Sequence, residues 1–382
     1  MKDTPLSYLP RQPVAGIMLL LAALFSLLFA NQTTLAASYF NTLNRPFMGF
    51  SLLEWVNEGL MAIFFLYLAL TLKRILLTRN LVHTVSKLPL IAACAGVVLP
   101  AAFYLIFNAA LPNSIHGWHI PIATDLILVL AILALLGNTL PPTLTSFFIT
   151  LAITENLAAI VLATSFQAAQ ASWFYLILIG LVYLALIACN LMGKTQHRFY
   201  LLGGSALWLL CIKAGLHAHI AGILLASTLP LRLPDQITPA PLLQWQTLLN
   251  HSVTWLILPL FVFANLGFAF ADCSWTTLLS PVSFGVVLGL MVGKPLAIFA
   301  TTGLLVKLRW ASLPLGMTWL HLLGIALLCG VGFSMSLLMG ALSLSDMALL
   351  NSNKIALLFS STVMGFIAYW VLRLAALLSP QQ

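Results

Sequence analysis

The sequence predicts an all-α polytopic membrane protein, and two observations support this fold class. Of the 382 residues, 62% are hydrophobic and only 6% are charged, which is too little charge to cover the surface of a water-soluble domain. The apolar residues also form repeated runs of about 20, the length that a helix needs to cross the bilayer core. Because these runs lack the strict alternation of barrel strands, we expect helices.

Charge and cysteine content exclude other classes. The formal net charge is +8, but the basic residues lie between apolar runs, where they mark membrane orientation and do not indicate nucleic-acid binding. Four of the five cysteines lie inside apolar runs and no CxxC pair occurs, so we interpret them as buried hydrophobic residues. The first apolar run follows Lys2 and Arg11 without a cleavage site, which predicts a retained span.

Twelve membrane spans are predicted from the apolar windows. The least clear division is the stretch 199–231, which is too long for one crossing and carries Lys213 and Gly215 in its middle, so we divide it there. The remaining segments are too short and too apolar for a soluble domain, and a single transmembrane domain is expected over 1–382. The predicted spans are 14–30, 59–77, 88–107, 121–137, 147–166, 172–192, 199–212, 216–230, 253–271, 282–305, 318–341 and 355–378.

The basic residues support an even number of spans, which places both termini on one side. Lys and Arg concentrate in short cytoplasmic loops, so we expect both termini in the cytoplasm and the chain in a bacterial inner membrane. The opposite side carries only Arg45, Lys213 and Lys354. The terminal side collects Lys2, Arg11, Lys73, Arg74, Arg79, Lys87, Lys194, Arg198, Arg232, Lys307, Arg309 and Arg373.

Four charged residues are not readily explained by tails, loops or the basic ends of spans: Glu58, Asp125, Glu155 and Lys294. A charge at the bilayer centre costs roughly 2.5–3.5 kcal/mol on insertion scales, so each is a candidate functional residue. Glu58 lies at a span edge and could instead stabilise its helix start through the helix dipole. Lys294, which precedes Pro295, is the expected counter-charge for one carboxylate.

Two helix interruptions are predicted. Asp125 follows Pro121 and Thr124, a combination that indicates a broken helix whose free backbone groups face a hydrated cavity. The alternative is an aspartate that only holds helices together. In the eleventh span, Gly330 and Gly332 alternate with two serines, which permits unwinding, although small residues could equally allow close helix packing.

The fifth predicted span carries Glu155 and Asn156, together with hydroxyl residues that recur on one helix face and predict a polar lining. Asn156 lies about 100° around the helix from Glu155, so both can flank one cavity. Oxygen atoms of carboxylates, hydroxyls and amides suit a hard cation such as Na+. We therefore expect Asp125 and Glu155 to bind Na+ and protons, with Thr124 and Asn156 contributing neutral oxygen atoms.

Competition between a proton and a sodium ion for one site produces exchange, provided that the site opens to one side at a time. No Walker A pattern or nucleotide fingerprint occurs, so primary pumping is not expected. The predicted function is secondary antiport of Na+ (or Li+) against H+, serving pH homeostasis. We expect neither enzymatic activity nor a cofactor.

Several motifs of the chain carry a family resemblance. They lie at 57–65, 123–125, 151–153, 215–217, 256–265, 293–296 and 329–336. Together they resemble the bacterial NhaA sodium/proton antiporter family over nearly the whole chain. The resemblance implies a twelve-helix fold with inverted repeats, in which helices 4 and 11 are broken and cross near the site. It places Thr124 and Asp125 at the crossing, pairs Lys294 with a site carboxylate, and links His217 with the response to pH, for which Glu58 is a second candidate.

The chain departs from the family at the site itself. The family has two adjacent aspartates in span five, of which the second is the principal carrier, whereas this chain has Glu155 and Asn156. An amide cannot titrate, so either Glu155 has taken over the exchange or coupling is altered or lost. Acidic positions of the family are occupied here by Thr71, Ile75 and Gln246, which argues against the usual pH response.

Three functions remain open from the sequence. The first is sodium/proton antiport through Asp125 and Glu155. The second, motivated by Asn156, is a transport-deficient homologue with a regulatory or interaction role in the membrane. The third is a secondary carrier of another cation or small solute. The expected partners are Na+, H+ and the lipid bilayer, and the chain could form a homodimer.

Overall fold

A computed structural model describes residues 13–77, 87–168, 171–231, 240–270 and 279–378. These residues are predominantly helical. The only strands among them are the two-residue segments Pro46–Phe47 (β1) and Phe50–Ser51 (β2), which pair antiparallel. The predicted helical class is therefore confirmed.

The helices are numbered in chain order. Their ranges are α1 Pro13–Asn31, α2 Ala36–Leu43, α3 Leu52–Leu77, α4 Leu88–Asn108, α5 Leu126–Leu135, α6 Pro142–Ala168, α7 Trp173–Leu191, α8 His197–Ala214, α9 His219–Thr228, α10 Pro241–Leu266, α11 Pro281–Lys307, α12 Trp319–Leu328, α13 Phe333–Ser343 and α14 Met347–Leu378. A 3-10 helix, Ile115–Ile122, lies between α4 and α5. One-turn π segments occur within three helices: Trp55–Leu60 in α3, Val253–Ile257 in α10 and Gly289–Gly293 in α11.

Nine helices in the described part of the chain are long and apolar enough to cross a membrane, counting the 3-10 helix with α5, and the bent pair α12–α13 makes up to ten. α9 is apolar but has only 10 residues, and α8 is not among the nine. The count of twelve crossings therefore stays a prediction. The division at Lys213–Gly215 is confirmed locally, because α8 ends at Ala214 and Gly215 has φ +79°, a left-handed conformation typical of glycine after a helix.

Two compact units divide the chain. The first contains the described residues of Leu43–Thr78 and Ile160–Phe261, and the second contains those of Pro10–Thr42, Arg79–Ala159 and Val262–Gln382. Both are built from helices that pack closely through small residues. In the first unit, a Cβ added at Gly222 of α9 would lie 2.4 Å from the carbonyl oxygen of Ala62 in α3.

Two non-helical segments meet inside the second unit. Residues 123–125 separate the 3-10 helix from α5, and residues 329–332 separate α12 from α13, whose axes differ by 40°. The backbone N–H of Asp125 donates to the carbonyl of Val331 at 2.8 Å, and the hydroxyl of Ser336 donates to the carbonyl of Ile120 at 2.8 Å. The two segments and the residues beside them thus bond to each other, as irregular backbone in a membrane requires. The assignment of these segments to two broken membrane-spanning helices stays a prediction.

Candidate functional site

Five of the predicted site residues lie in the second unit. Thr124 and Asp125 belong to the non-helical segment before α5, Glu155 and Asn156 lie on α6, and Lys294 follows the π turn of α11. None of their side chains is more than 1% exposed. Polar groups buried to this degree are stable only when they are hydrogen-bonded or paired, so their partners define the chemistry of the site.

Glu155 and Lys294 form a buried ion pair. The ammonium nitrogen of Lys294 lies 3.1 Å from Oε2 of Glu155, and both side chains have 0% relative exposure. Oε1 of Glu155 has no hydrogen-bond partner among the described residues. Removing one member of a buried pair leaves an uncompensated charge and costs about 3–5 kcal/mol, so the stability of each charge depends on the other.

The hydroxyl of Thr124 connects this pair to the second interruption. It accepts a hydrogen bond from the ammonium of Lys294. It lies 2.9 Å from Oε2 of Glu155 and 3.0 Å from the carbonyl oxygen of Cys329. Because a hydroxyl has a single proton, it donates to one of these two oxygen atoms at a time. The ammonium, the carboxylate and the end of α12 therefore share one polar network.

Asn156 holds the backbone of Thr124. Its Oδ1 accepts from the N–H of Thr124 at 3.0 Å, and its Nδ2 donates to the carbonyl of Thr124 at 2.8 Å. Where the helix is interrupted, the amide thus replaces the backbone partners that Thr124 lacks. The two bonds together require a side chain that carries both a donor and an acceptor. An ionised aspartate has acceptors only, so it could not make both.

Asp125 is held by neutral donors at the starts of two helices. Its Oδ1 accepts from the N–H of Leu128 at 2.9 Å, as the N-cap of α5. Its Oδ2 accepts from the N–H of Ser334 at 2.9 Å and from the hydroxyl of the same serine, near the start of α13. Helix N-termini favour negative charge, so this carboxylate compensates two helix ends at once.

Gly96 on α4 makes room for Glu155. A Cβ added at Gly96 would lie 2.0 Å from Oε1 of Glu155, so any larger residue would displace the carboxylate. Glutamate is one methylene longer than the aspartate that the family resemblance implies at this position, and the glycine accommodates that length. Sequence reasoning missed Gly96, because a lone glycine in an apolar helix is most simply explained by helix packing.

Sequence comparisons show the family. A family model described as Na+/H+ antiporter 1 matches residues 7–372. The chain belongs to this Na+/H+ antiporter family. A curated relative, the Na+/H+ antiporter NhaA of Caulobacter vibrioides, is 40% identical over 94% of this chain and 88% of its own length. Relatives from Nitrobacter hamburgensis (NhaA) and Brucella anthropi (NhaA 1) are 39% and 37% identical, each over 96% of this chain and over 90% and 94% of their own lengths.

Membership of the antiporter family confirms the predicted resemblance and, with the apolar helices, a multi-pass membrane protein. The two candidates for the pH response, Glu58 and His217, lie in the first unit. Glu58 sits in the π turn of α3, and its Oε2 accepts from the N–H of Ala218 at 2.9 Å. The start of α3 is capped instead by Ser51 and Glu54, so Glu58 does not have the capping role considered as its alternative.

His219 also lies in the first unit, and it was not predicted from the sequence. Its Nδ1 lies 3.8 Å from Oε2 of Glu58, and Nδ1 of His217 lies 3.9 Å from Oε1 of the same carboxylate. The signal that could have found it is a pair of histidines separated by one residue, Ala218, whose N–H bonds to Glu58.

Thr71 and Gln246, which occupy positions that are acidic in the family, contact each other in the first unit. Nε2 of Gln246 donates to the hydroxyl of Thr71 at 3.1 Å, and Arg74 donates to Oε1 of Gln246 at 3.0 Å. Both Thr71 and Gln246 are buried. These neutral groups satisfy each other by hydrogen bonding, and neither can titrate in place of an acid.

Proposed function

We propose that the chain exchanges Na+ (or Li+) for H+ across the bacterial inner membrane. In this proposal, Na+ and H+ bind alternately to the carboxylate of Glu155. One observation carries this proposal. The Lys294 ammonium lies 3.1 Å from Oε2 of Glu155 with both side chains fully buried, while Oε1 has no hydrogen-bond partner in the described part of the chain. Membership of the Na+/H+ antiporter family supports the same conclusion.

Charge balance couples the two ions at this pair. A buried carboxylate requires one compensating positive charge, and a second positive charge beside it is costly. Na+ and a proton therefore compete for the carboxylate of Glu155, and occupancy by one excludes the other. Because Asn156 cannot titrate, Glu155 is the residue of the 155–156 pair that can carry the proton. Release of one ion on one side and binding of the other on the opposite side produces exchange.

Oxygen atoms around Glu155 form the proposed sodium shell, since hard cations prefer oxygen ligands. The carboxylate, the hydroxyl of Thr124 and the carbonyl of Cys329 are joined by contacts of 2.9 and 3.0 Å. We assign Asn156 to holding Thr124 in place, because its amide bonds to the Thr124 backbone at 3.0 and 2.8 Å. Asp125 contributes a fixed negative charge to the same region.

The finer architecture is part of the proposal. We infer a single transmembrane domain with twelve crossings, in which α8 and α9 add two to the ten candidates. Inverted repeats with broken helices 4 and 11 account for the non-helical residues 123–125 and 329–332. Both termini are assigned to the cytoplasm, as the distribution of basic residues favours.

A homodimer in the lipid bilayer is also proposed. The strands β1 and β2 form a two-stranded sheet, whose free edges can pair with another strand. Met48, at the turn of this hairpin, is 79% exposed. In a background without the native cysteines, Met48→Cys should cross-link two chains in membranes, whereas the equally exposed Trp173→Cys should not. Equal cross-linking at both positions would argue against this interface.

Transport is tested in vesicles that contain the purified protein and a pH-gradient dye. Addition of Na+ should relieve the quenching of the dye in the wild type and should have no effect with Glu155→Gln. A folded wild type that gives no response to Na+ from acidic to alkaline pH would contradict antiport. In that case, a response created by Asn156→Asp would identify a transport-deficient homologue, and a response to K+ alone would identify a carrier of another cation.

We propose that His217 and Glu58 set the pH response, because the family resemblance links His217 with it and Nδ1 of His217 lies 3.9 Å from Oε1 of Glu58. His217→Gln should shift the pH profile of exchange and leave the maximal rate unchanged. An unaltered profile would exclude His217 from this role.

A further inference from the structure

Three side chains of the first unit that suit transition metals lie together near the starts of α3 and α9. Glu58, His217 and His219 each offer one ligand atom, and these atoms all lie within 4.8 Å of one another. We propose that this cluster binds a divalent transition-metal ion of the zinc class, with the three residues as its protein ligands. The proposal does not depend on the sodium site, which is built from other residues.

The distances are close to those around a bound ion. Nδ1 of His219 lies 3.8 Å from Oε2 of Glu58, and Nδ1 of His217 lies 3.9 Å from Oε1. Bonds from zinc to nitrogen and oxygen are about 2.0–2.2 Å long, which separates two ligands of a tetrahedral ion by about 3.4 Å. These two pairs are within about 0.5 Å of that separation. The three ligand atoms lie up to 4.8 Å apart, so the widest pair would have to close by up to about 1.4 Å when an ion binds.

His219 is oriented as a metal ligand. Its Nε2 lies 2.8 Å from the carbonyl oxygen of Asn57, and because a carbonyl only accepts, Nε2 carries the proton and Nδ1 keeps its lone pair. Nδ1 is buried without a hydrogen-bond partner in the described residues, and the side chain is 0% exposed. Metal-binding histidines typically donate their other N–H to a backbone carbonyl or a carboxylate. The lone pair of His219 Nδ1 is thus available to a metal ion.

Glu58 completes the site. Its carboxylate is oriented by the N–H of Ala218 at 2.9 Å, and it supplies the negative charge that a divalent ion requires. Its side chain is 24% exposed, compared with 7% for His217 and 0% for His219, so an ion can enter from this side and keep a water molecule as a fourth ligand. Two imidazoles and a carboxylate suit Zn2+, Co2+ or Ni2+ better than Na+ or Ca2+, which prefer oxygen ligands alone.

Metal binding at this position would tie α3 to α9. The two helices already pack closely, since a Cβ at Gly222 of α9 would lie 2.4 Å from the carbonyl oxygen of Ala62 in α3. An ion coordinated by Glu58 from α3 and by His217 and His219 from the start of α9 would link the two helices at a second point. A ligand that binds only the folded state raises the midpoint of thermal unfolding.

The test uses the full chain in detergent, with the affinity tag removed and bound metal stripped by a chelator. We expect calorimetry to show one Zn2+ per chain, and Co2+ to give the intense visible bands of a tetrahedral site. His219→Ala and Glu58→Gln should weaken Zn2+ binding at least tenfold. The matched control is His251→Ala, since His251 is an exposed histidine of α10 in the same unit, and it should bind Zn2+ as the wild type does.

Unfolding of a variant is distinguished from loss of the site by thermal stability. Zn2+ should raise the unfolding midpoint of the wild type and of His251→Ala but not that of folded His217→Gln. The proposal is overturned if the wild type binds no Zn2+, if His219→Ala and Glu58→Gln bind as tightly as the wild type, or if His251→Ala weakens binding equally. Sodium transport does not enter these readouts, so a failure of the proposed antiport would be recognised separately.

Discussion

Asp125 and Glu155 are both buried carboxylates of the second unit, but their partners differ in kind. Asp125 accepts hydrogen bonds from Leu128 and Ser334, donors that stay neutral and fixed at the starts of two helices. Glu155 is paired with the ammonium of Lys294, and its Oε1 has no hydrogen-bond partner among the described residues. Both oxygen atoms of Asp125 are thus occupied by donors, whereas Glu155 keeps one oxygen atom for an incoming cation. On this difference we propose a chiefly structural role for Asp125 and ion exchange for Glu155.

Removal of Lys294 is expected to have the largest effect. Lys294→Met leaves the Glu155 carboxylate buried without its counter-charge, which should lower the free energy of unfolding by about 3–5 kcal/mol. The double variant Lys294→Met/Glu155→Gln removes both charges and should recover most of this loss. The wild type, Lys294→Met, Glu155→Gln and the double variant form a thermodynamic cycle, and thermal unfolding of all four is measured in the same detergent. A double variant no more stable than Lys294→Met would show that the two charges are not coupled.

Asp125→Asn tests the role of the second carboxylate. An amide NH₂ in place of one carboxylate oxygen faces the N–H of Leu128 or of Ser334 instead of accepting from it, which should cost about 1–3 kcal/mol. Sodium binding measured by calorimetry should persist in Asp125→Asn and be lost in Glu155→Gln. The opposite result, with binding lost only in Asp125→Asn, would exchange the roles of the two carboxylates.

Gly96→Ala tests whether the position of Glu155 matters. The new Cβ would lie 2.0 Å from Oε1 of Glu155, so the carboxylate must move, at a cost of about 1–3 kcal/mol for overpacking. We expect a higher sodium concentration at half-maximal exchange, and partial recovery when Glu155→Asp shortens the side chain. Gly180→Ala on α7 is the control, because a Cβ there would meet nothing within 4 Å. Equal effects at Gly96 and Gly180 would exclude the steric explanation.

Helix positions could largely be predicted, because bilayer thickness sets the length of an apolar run. The predicted spans 14–30 and 172–192 correspond to Pro13–Asn31 and Trp173–Leu191. The last window begins at 355, whereas the helix begins at Met347, since the polar residues 351–354 interrupt the apolar run but not the backbone hydrogen bonds. Hydropathy locates the lipid-facing part of a helix and misses its polar extension.

The candidate site could be predicted only in part. Its charged residues stood out because lipid disfavours unpaired charge, but their partners lie far away in the chain, as Thr124 and Lys294 do. The polar lining predicted for the hydroxyl residues of α6 stays a prediction. Ser146, Thr150 and Thr154 donate to the carbonyls four residues earlier at 3.2, 3.0 and 2.7 Å, so they require no polar cavity. A hydroxyl on a helix can be satisfied by its own helix, which a sequence pattern does not distinguish from a lining.

The smallest effects are expected when the hydroxyls that contact the two carboxylates are removed. Ser334→Ala removes one donor from Asp125 but keeps the backbone N–H of Ser334 at 2.9 Å, so it should cost only about 0.6 kcal/mol, the average for hydrogen bonds between membrane helices. Thr124→Val removes the hydroxyl that lies between Lys294 and Glu155. Both variants lose one hydroxyl, but only Thr124→Val should raise the sodium concentration at half-maximal exchange in vesicles. An equal change in both variants would mean that Asp125 and Glu155 share the ion.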